Sequence, residues 1–223
     1  MGISVQDANH DDDYHPVYDD DGYNPVCQAH RKLQTVGHSQ AGKSDNHQRI
    51  VRIAAQRFRE NGMDGLSVAD LMQEAGLTHG GFYRHFDSRE ELVAEAVEYA
   101  LDQGGQRAAA VTGSGRKSPL NALIDAYLAV SHRDDRGEGC AVTALAADVA
   151  RGNERTRAAY TEQVRHYLDL VGAALEQSGR KAGRQQAVLI LSSLVGALSL
   201  ARAVNDERLS LEILKSAASA LKA

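Results

Sequence analysis

From Ser67 to Phe86 the chain reads SVADLMQEAGLTHGGFYRHF, a run that leaves few folds open. Ser67, followed three residues on by Asp70, is a capping-box start to a helix. Val68, Leu71 and Met72 put apolar side chains at i, i+3 and i+4, so that helix buries one face. It stops at Ala75-Gly76-Leu77, where the glycine permits a positive φ and Leu77 can drop into a core. Thr78 then offers an N-cap to a second short helix carrying Phe82, Tyr83 and Phe86. Two short helices joined by a glycine-containing turn make a helix-turn-helix, whose second helix is the one that enters a major groove.

The flanks sharpen this reading. Upstream, Ile50, Ile53, Ala54 and Phe58 share one face of a helix that ends at Asn61-Gly62. Downstream, Ser88 caps a further helix and Glu91 closes its box. Residues 47–101 together resemble the DNA-binding domain of TetR-type transcriptional regulators. The resemblance is carried by Ala54-x-x-x-Phe58, Gly62, Gly65, Ala75-Gly76-Leu77, Phe82-Tyr83-x-His85-Phe86 and Arg89-Glu90-Glu91-Leu92. It implies that Thr78, His79, Gly81 and Arg84 face DNA, with Tyr83 and His85 on phosphates. Tyr83 suits inward packing of its ring with the hydroxyl on the DNA backbone. Gly81 departs from the commoner pattern, which has a small hydroxyl residue there, so base readout would lean on His79 and Arg84. Arg84 is equally suited to a phosphate. Ser67, Lys43, Arg49 and Arg89 are further phosphate candidates, each otherwise an ordinary solvated surface group. Phe82 and Phe86 read as core.

Only 3 prolines, no tryptophan and abundant Ala, Leu, Gln and Arg among 223 residues favour an all-α chain. About nine helices are expected and no strand. The resemblance implies that residues 46–101 are a three-helix helix-turn-helix domain and 102–223 a helical ligand-binding and dimerisation domain. Residues 1–45 lack periodicity and read as a disordered acidic tail. His10-Asp11-Asp12-Asp13 with His15 reads as solvated charge, since no fixed loop is signalled for a metal. Val36-Gly37-His38 looks like the beginning of related regulators, so 1–35 is alternatively an over-extended reading frame.

Charge supports the partition. The net charge of −5 sits entirely in 1–35, which hold seven acids and two bases; 36–223 hold 23 of each. Phosphate binding therefore rests on a few placed cations and backbone N–H groups, with a modest salt dependence. Two cysteines, Cys27 and Cys140, make no disulfide framework and suit a reducing bacterial cytoplasm. The longest apolar stretch, 187–204, carries three serines and Arg202 and does not read as a membrane span.

In the C-terminal half, 184–204 is apolar nearly all round. Either it is a central core helix or, with the last helix, it pairs two copies. Leu191, Leu194, Val195, Leu198 and Leu214 are the expected interface, giving a palindromic operator with half-sites about one helical turn apart. Cys140 begins a helix after a polar turn, where a thiolate is stabilised; it reads as an electrophile or redox sensor or as a small buried hydrophobe. Tyr127, Tyr160, His166 and Tyr167 line a ligand pocket or fill the core. No nucleophile–base pair, phosphate loop or metal-ligand spacing points to an enzyme or a cofactor. The expected activity is repression of transcription relieved by a small-molecule or electrophile signal. An activator of the same family, a Cys-dependent enzyme and an architectural DNA binder are the alternatives.

Overall fold

Side-chain caps fix where the helices start. The Ser67 hydroxyl accepts the Asp70 N–H at 3.2 Å while the Asp70 carboxylate takes the Ser67 N–H at 3.2 Å, the reciprocal box that the sequence signals. Ser88, Ser118, Asn153 and Asp206 accept from the amide three residues on, and Pro119 opens its helix at the position where a missing N–H is harmless. At Ser88 the box differs from expectation: the Glu91 carboxylate reaches one residue further back, to the Asp87 N–H at 2.6 Å.

The computed structural model describes residues 40–115, 118–180 and 183–223. The acidic segment, the His10–His15 group and the start considered at Val36 lie outside the described residues. Among these residues the order is α1 (Gln40–Asn61), α2 (Val68–Glu74), a 3₁₀ helix (His79–Arg84), α3 (Arg89–Thr112), α4 (Pro119–Tyr127), α5 (Val130–Asp134), α6 (Ala141–Ala150), α7 (Glu154–Gln177), α8 (Arg184–Ala203) and α9 (Glu207–Lys222). The all-α expectation holds, with three differences in detail. Helix α1 begins at Gln40, so residues 40–45, expected to be part of the tail, are helical; this first turn is polar and carries no apolar periodicity that would signal it. Helix α5 is a single turn, too short for an apolar repeat. The second element of the helix-turn-helix is 3₁₀ and not α: Gly80 and Gly81 weaken helix propensity, and the Thr78 hydroxyl makes no capping bond.

One apolar core runs from Ile50 to Leu214. Helix α3 threads it. Leu92, Val93 and Ala96 are buried in this core with the helix-turn-helix residues Leu71, Met72 and Phe82, and the helix packs against the C-terminal helices, chiefly α7. Helix α8 packs between α7 and α9. It is long and apolar enough to cross a bilayer, but Ile190, Leu194, Ala197 and Leu198 are buried in this core.

Candidate functional site

The corner between α2 and the 3₁₀ helix is built by the backbone. Gly76 takes φ +68°, its N–H bonds the Gln73 carbonyl at 2.9 Å, and the Leu77 N–H bonds Met72 at 2.8 Å. This paired closure requires a left-handed residue, which glycine adopts without penalty. Phe82 and Phe86 are buried and stacked with centroids 5.4 Å apart, so the 3₁₀ helix is riveted to the core from below. His47 extends the stack, its ring 4.5 Å from Phe86 and its Nε2 2.6 Å from Glu95. Arg57 ties α1 to α2 through Glu74 and also reaches Glu60.

What remains on the outside is a polar edge. Thr78, His79, Tyr83 and Arg84 are exposed and Gly81 is half-buried. Tyr83 is 72% exposed and meets Phe82 only edge-on, which corrects the expectation that its ring packs inward. A solvated aromatic ring has no role in the protein's own core and can serve a partner. Two acids of this corner are engaged: Glu74 by Arg57, and Asp70 by Ser67. Among the described residues Lys43 and Arg84 have no acidic partner, and both lie close enough to His85 to depress its protonation. Burial is the larger cause of that depression, so His85 is neutral at pH 7 and its buried Nδ1 has no hydrogen-bond partner. His85 is therefore a weak phosphate ligand.

Three other expected contacts are placed differently. Arg89 donates to the Met63 carbonyl at 2.6 Å and sits 3.6 Å from Asp64, so it braces the loop before α2. Ser67 is exposed, but its hydroxyl is committed to the capping box. Arg49 is exposed and bonded to Asn46 in its own helix.

A second feature lies between α3, α4, α7 and α8: a cavity of about 240 Å³. Tyr127, Cys140 and Tyr167 line it, together with Arg107, His132 and Glu138. Tyr160 does not line it; its hydroxyl donates to the Val142 carbonyl at 2.8 Å, pinning α6 to α7, and burial pushes it up to about 12. His166 is exposed on α7. The Tyr127 hydroxyl is 2.7 Å from Thr143 Oγ1. Burial holds the Tyr127 and Tyr167 phenols well above their ordinary range, so they stay un-ionised.

Cys140 is the N-cap of α6, but its thiol makes no capping bond to the first-turn amides, contrary to the expected thiolate site. Its backbone N–H donates to His132 Nε2 at 3.1 Å, while His132 Nδ1 lies 2.6 Å from the Tyr127 carbonyl. This arrangement fixes the neutral tautomer with Nδ1 protonated and leaves no imidazole lone pair to deprotonate the thiol. Burial, the largest cause, lowers the His132 pKa. The charged form is thus disfavoured in the folded chain, so this group's contribution to stability is present above about pH 6.5 and is lost as pH falls through the depressed folded value. Thermal melts across that window are expected to show falling stability, with a shallower slope in His132→Gln; an unchanged slope would assign the acid sensitivity elsewhere.

The loop 135–140 connects the two features. Its Glu138 bonds Arg107 at the cavity at 2.9 Å. Its Gly137 carbonyl accepts from Arg59 Nε of α1, whose side chain is 1% exposed and whose Nη1 has no partner. Gly137 is close-packed here, since a Cβ would overlap Glu60 and lie 2.9 Å from Gln56 Cγ. Arg202 of α8 holds the preceding turn through the carbonyls of His132 and Arg133. Sequence reasoning missed Arg59, Arg107, His132 and Glu138. Their partners are 31 to 78 residues away for Arg59 and Arg107, and a charged residue on an amphipathic helix reads as solvated.

Finally, the expected pairing residues are not on the surface. Leu191, Leu194, Leu198 and Leu214 are buried within one protomer and Val195 is half-buried. The apolar side chains that α8 and α9 leave exposed are Val188, Leu189, Leu200, Leu209 and Leu211. Periodicity identifies an apolar helix but cannot say which side its own neighbours take.

The family model "Bacterial regulatory proteins, tetR family" matches residues 50–96, and "Transcriptional regulator LmrA/YxaF-like, C-terminal domain" matches residues 118–216. The repressor KstR2 of Rhodococcus jostii is 35% identical over 86 residues, 38% of this chain and 42% of that protein. KstR2 of Mycolicibacterium smegmatis is 30% identical over 88 residues, again 42% of its length. The chain thus spans about two-fifths of the curated relatives it matches. Among solved structures, reduced NemR of E. coli superposes with TM-score 0.69 at 23% identity, over 80% of this chain and 95% of that one. A TetR regulator of Chloroflexus aurantiacus superposes with TM-score 0.70 at 22% identity, over 82% and 97%. These likenesses show the shared fold. By both of its matched regions, the chain belongs to the TetR family of bacterial transcriptional regulators.

Proposed function

We propose that the protein is a cytoplasmic repressor that binds a palindromic operator as a homodimer and releases it when the cavity is filled. The observation that carries the DNA-binding half is the exposed edge His79–Arg84, with a solvated tyrosine and cations that have no acidic partner among the described residues, on a rigidly anchored corner. The helix-turn-helix of the matched family and the KstR2 relatives, described as repressors, support the same reading. His79 and Arg84 read base edges or phosphates, Thr78, Gly81 and Tyr83 border the backbone, and Lys43 adds a phosphate contact.

Release requires the ligand to favour a DNA-incompetent state. The loop 135–140 supplies a route, because Glu138 and Cys140 line the cavity and Gly137 sits on Arg59 of α1. A non-covalent occupant fits this site better than a covalent one, since the Cys140 thiol has no base beside it.

Pairing through the exposed stripe of α8 and α9 covers apolar surface that water would otherwise face. Leu189→Glu combined with Leu200→Glu is expected to yield a folded monomer by sedimentation, because both side chains are 58% exposed and contribute little to the protomer's core. Operator affinity then falls with the loss of the second half-site. A variant that stays dimeric would move the interface off this stripe.

A further inference from the structure

Resting on that reading, we infer that the cavity takes a small, uncharged, mainly apolar molecule bearing one hydrogen-bond acceptor, of the aromatic-ketone type. Size comes first. An apolar cavity of about 150 Å³ takes benzene, so the 240 Å³ here accommodates about nine or ten non-hydrogen atoms. That is below the range of drug-sized sites, roughly 300–1,000 Å³, and leaves no room for a nucleotide or a multi-ring ligand.

Charge comes next. Among the described residues the cavity has two charged lining side chains, Arg107 and Glu138, and they are bonded to each other at 2.9 Å. Glu138 also lies 3.6 Å from the buried Arg59 guanidinium. An anionic ligand must therefore displace Glu138 from two cations or be desolvated beside it, and a cation meets Arg107. Inside, Leu123, Val171, Leu191 and Leu194 surround the space. The imidazole and the two phenols there are neutral, and both ring nitrogens of His132 are already bonded.

Those phenols set the acceptor. A hydroxyl has one proton and two lone pairs, so Tyr127 can accept from Thr143 and still donate to a ligand oxygen. Burial keeps both tyrosines protonated, hence donors, across the neutral range. A carbonyl oxygen on an otherwise apolar molecule satisfies them; a purely apolar molecule does not.

Three isosteres separate these requirements: acetophenone (neutral, with an acceptor), α-methylstyrene (neutral, without one) and benzoate (anionic). Dissociation constants for the full chain are measured by saturation-transfer NMR and calorimetry. Acetophenone is expected to bind best, α-methylstyrene about five- to tenfold more weakly through loss of a hydrogen bond, and benzoate at least about tenfold more weakly through the cost of burying its charge. Tyr127→Phe and Tyr167→Phe should reduce the advantage of acetophenone while leaving α-methylstyrene affinity intact, which also certifies the fold. Benzoate binding as tightly as acetophenone, equal affinity for the two neutral compounds, or no binding by any of the three overturns the inference. Operator binding is assayed on the same sample. A chain that holds its operator but prefers benzoate overturns the ligand class alone, whereas one that binds acetophenone and no operator overturns the repressor reading.

Discussion

Arg84→Ala is expected to weaken operator binding by at least about thirtyfold. A base-reading or phosphate-binding arginine contributes about 1–3 kcal/mol, and a dimer presents it twice, about 2–6 kcal/mol in all. The substitution costs little stability, because Arg84 is exposed and makes no intramolecular ion pair among the described residues. Its salt dependence distinguishes the two roles. If Arg84 contacts a phosphate, affinity falls evenly across sequences and the salt slope shrinks by about one per half-site. If it reads a base edge, specificity relaxes at one position in each half-site while the slope holds. Titration of operator DNA at two or more salt concentrations decides between them, and unchanged affinity would remove Arg84 from the interface.

Phe82→Ala should be far more damaging to stability than any change at its neighbour Tyr83. Phe82 is 2% exposed, stacks on Phe86 and anchors in the core a 3₁₀ helix that packs on α2. Deleting a buried phenyl ring costs about 3–5 kcal/mol, a large share of a total stability of about 5–15 kcal/mol. At about 2–4 °C per kcal/mol for a chain of this size, Tm falls by roughly 6–20 °C. Tyr83→Ala, by contrast, removes a ring that is 72% exposed, so stability changes by no more than about 0.5 kcal/mol while operator affinity drops. Matching losses of Tm in the two variants would mean that Tyr83 packs inward after all.

The contrast between those two adjacent aromatics marks how far the sequence could be read. Local chemistry was legible: Ser67 and Asp70, Ser88 and Gly76 each dictate a boundary through groups within a few residues, and the structure places the boundaries there. Apolar periodicity likewise identified α1 and α2, and near-continuous apolar character marked α8. Facing was less legible. Helix α8 is apolar on most sides, and only the packing of α7 and α9 against it decides that Leu191, Leu194 and Leu198 turn inward while Leu189 and Leu200 stay outside. Nor does any local signal mark Arg59 as buried. Its burial follows from Gly137, 78 residues on, whose lack of a side chain lets loop 135–140 lie against α1. The cavity was half legible for the same reason: Tyr127, Cys140 and Tyr167 stand out by residue type, whereas Arg107, His132 and Glu138 matter through the long-range pairs that neutralise or lock them.

The central claim is sequence-specific recognition of DNA by a symmetric pair of helix-turn-helix corners. It is tested most directly by incubating the purified protein with fragmented DNA of its source organism and sequencing the bound fragments at two salt concentrations. One enriched palindrome is expected, its half-sites about one helical turn apart, roughly 10 base pairs. Its salt dependence should be modest, in keeping with a balance of 23 acids to 23 bases over residues 36–223. Bound DNA with no enriched sequence, recovered with a folded and dimeric protein, would contradict it.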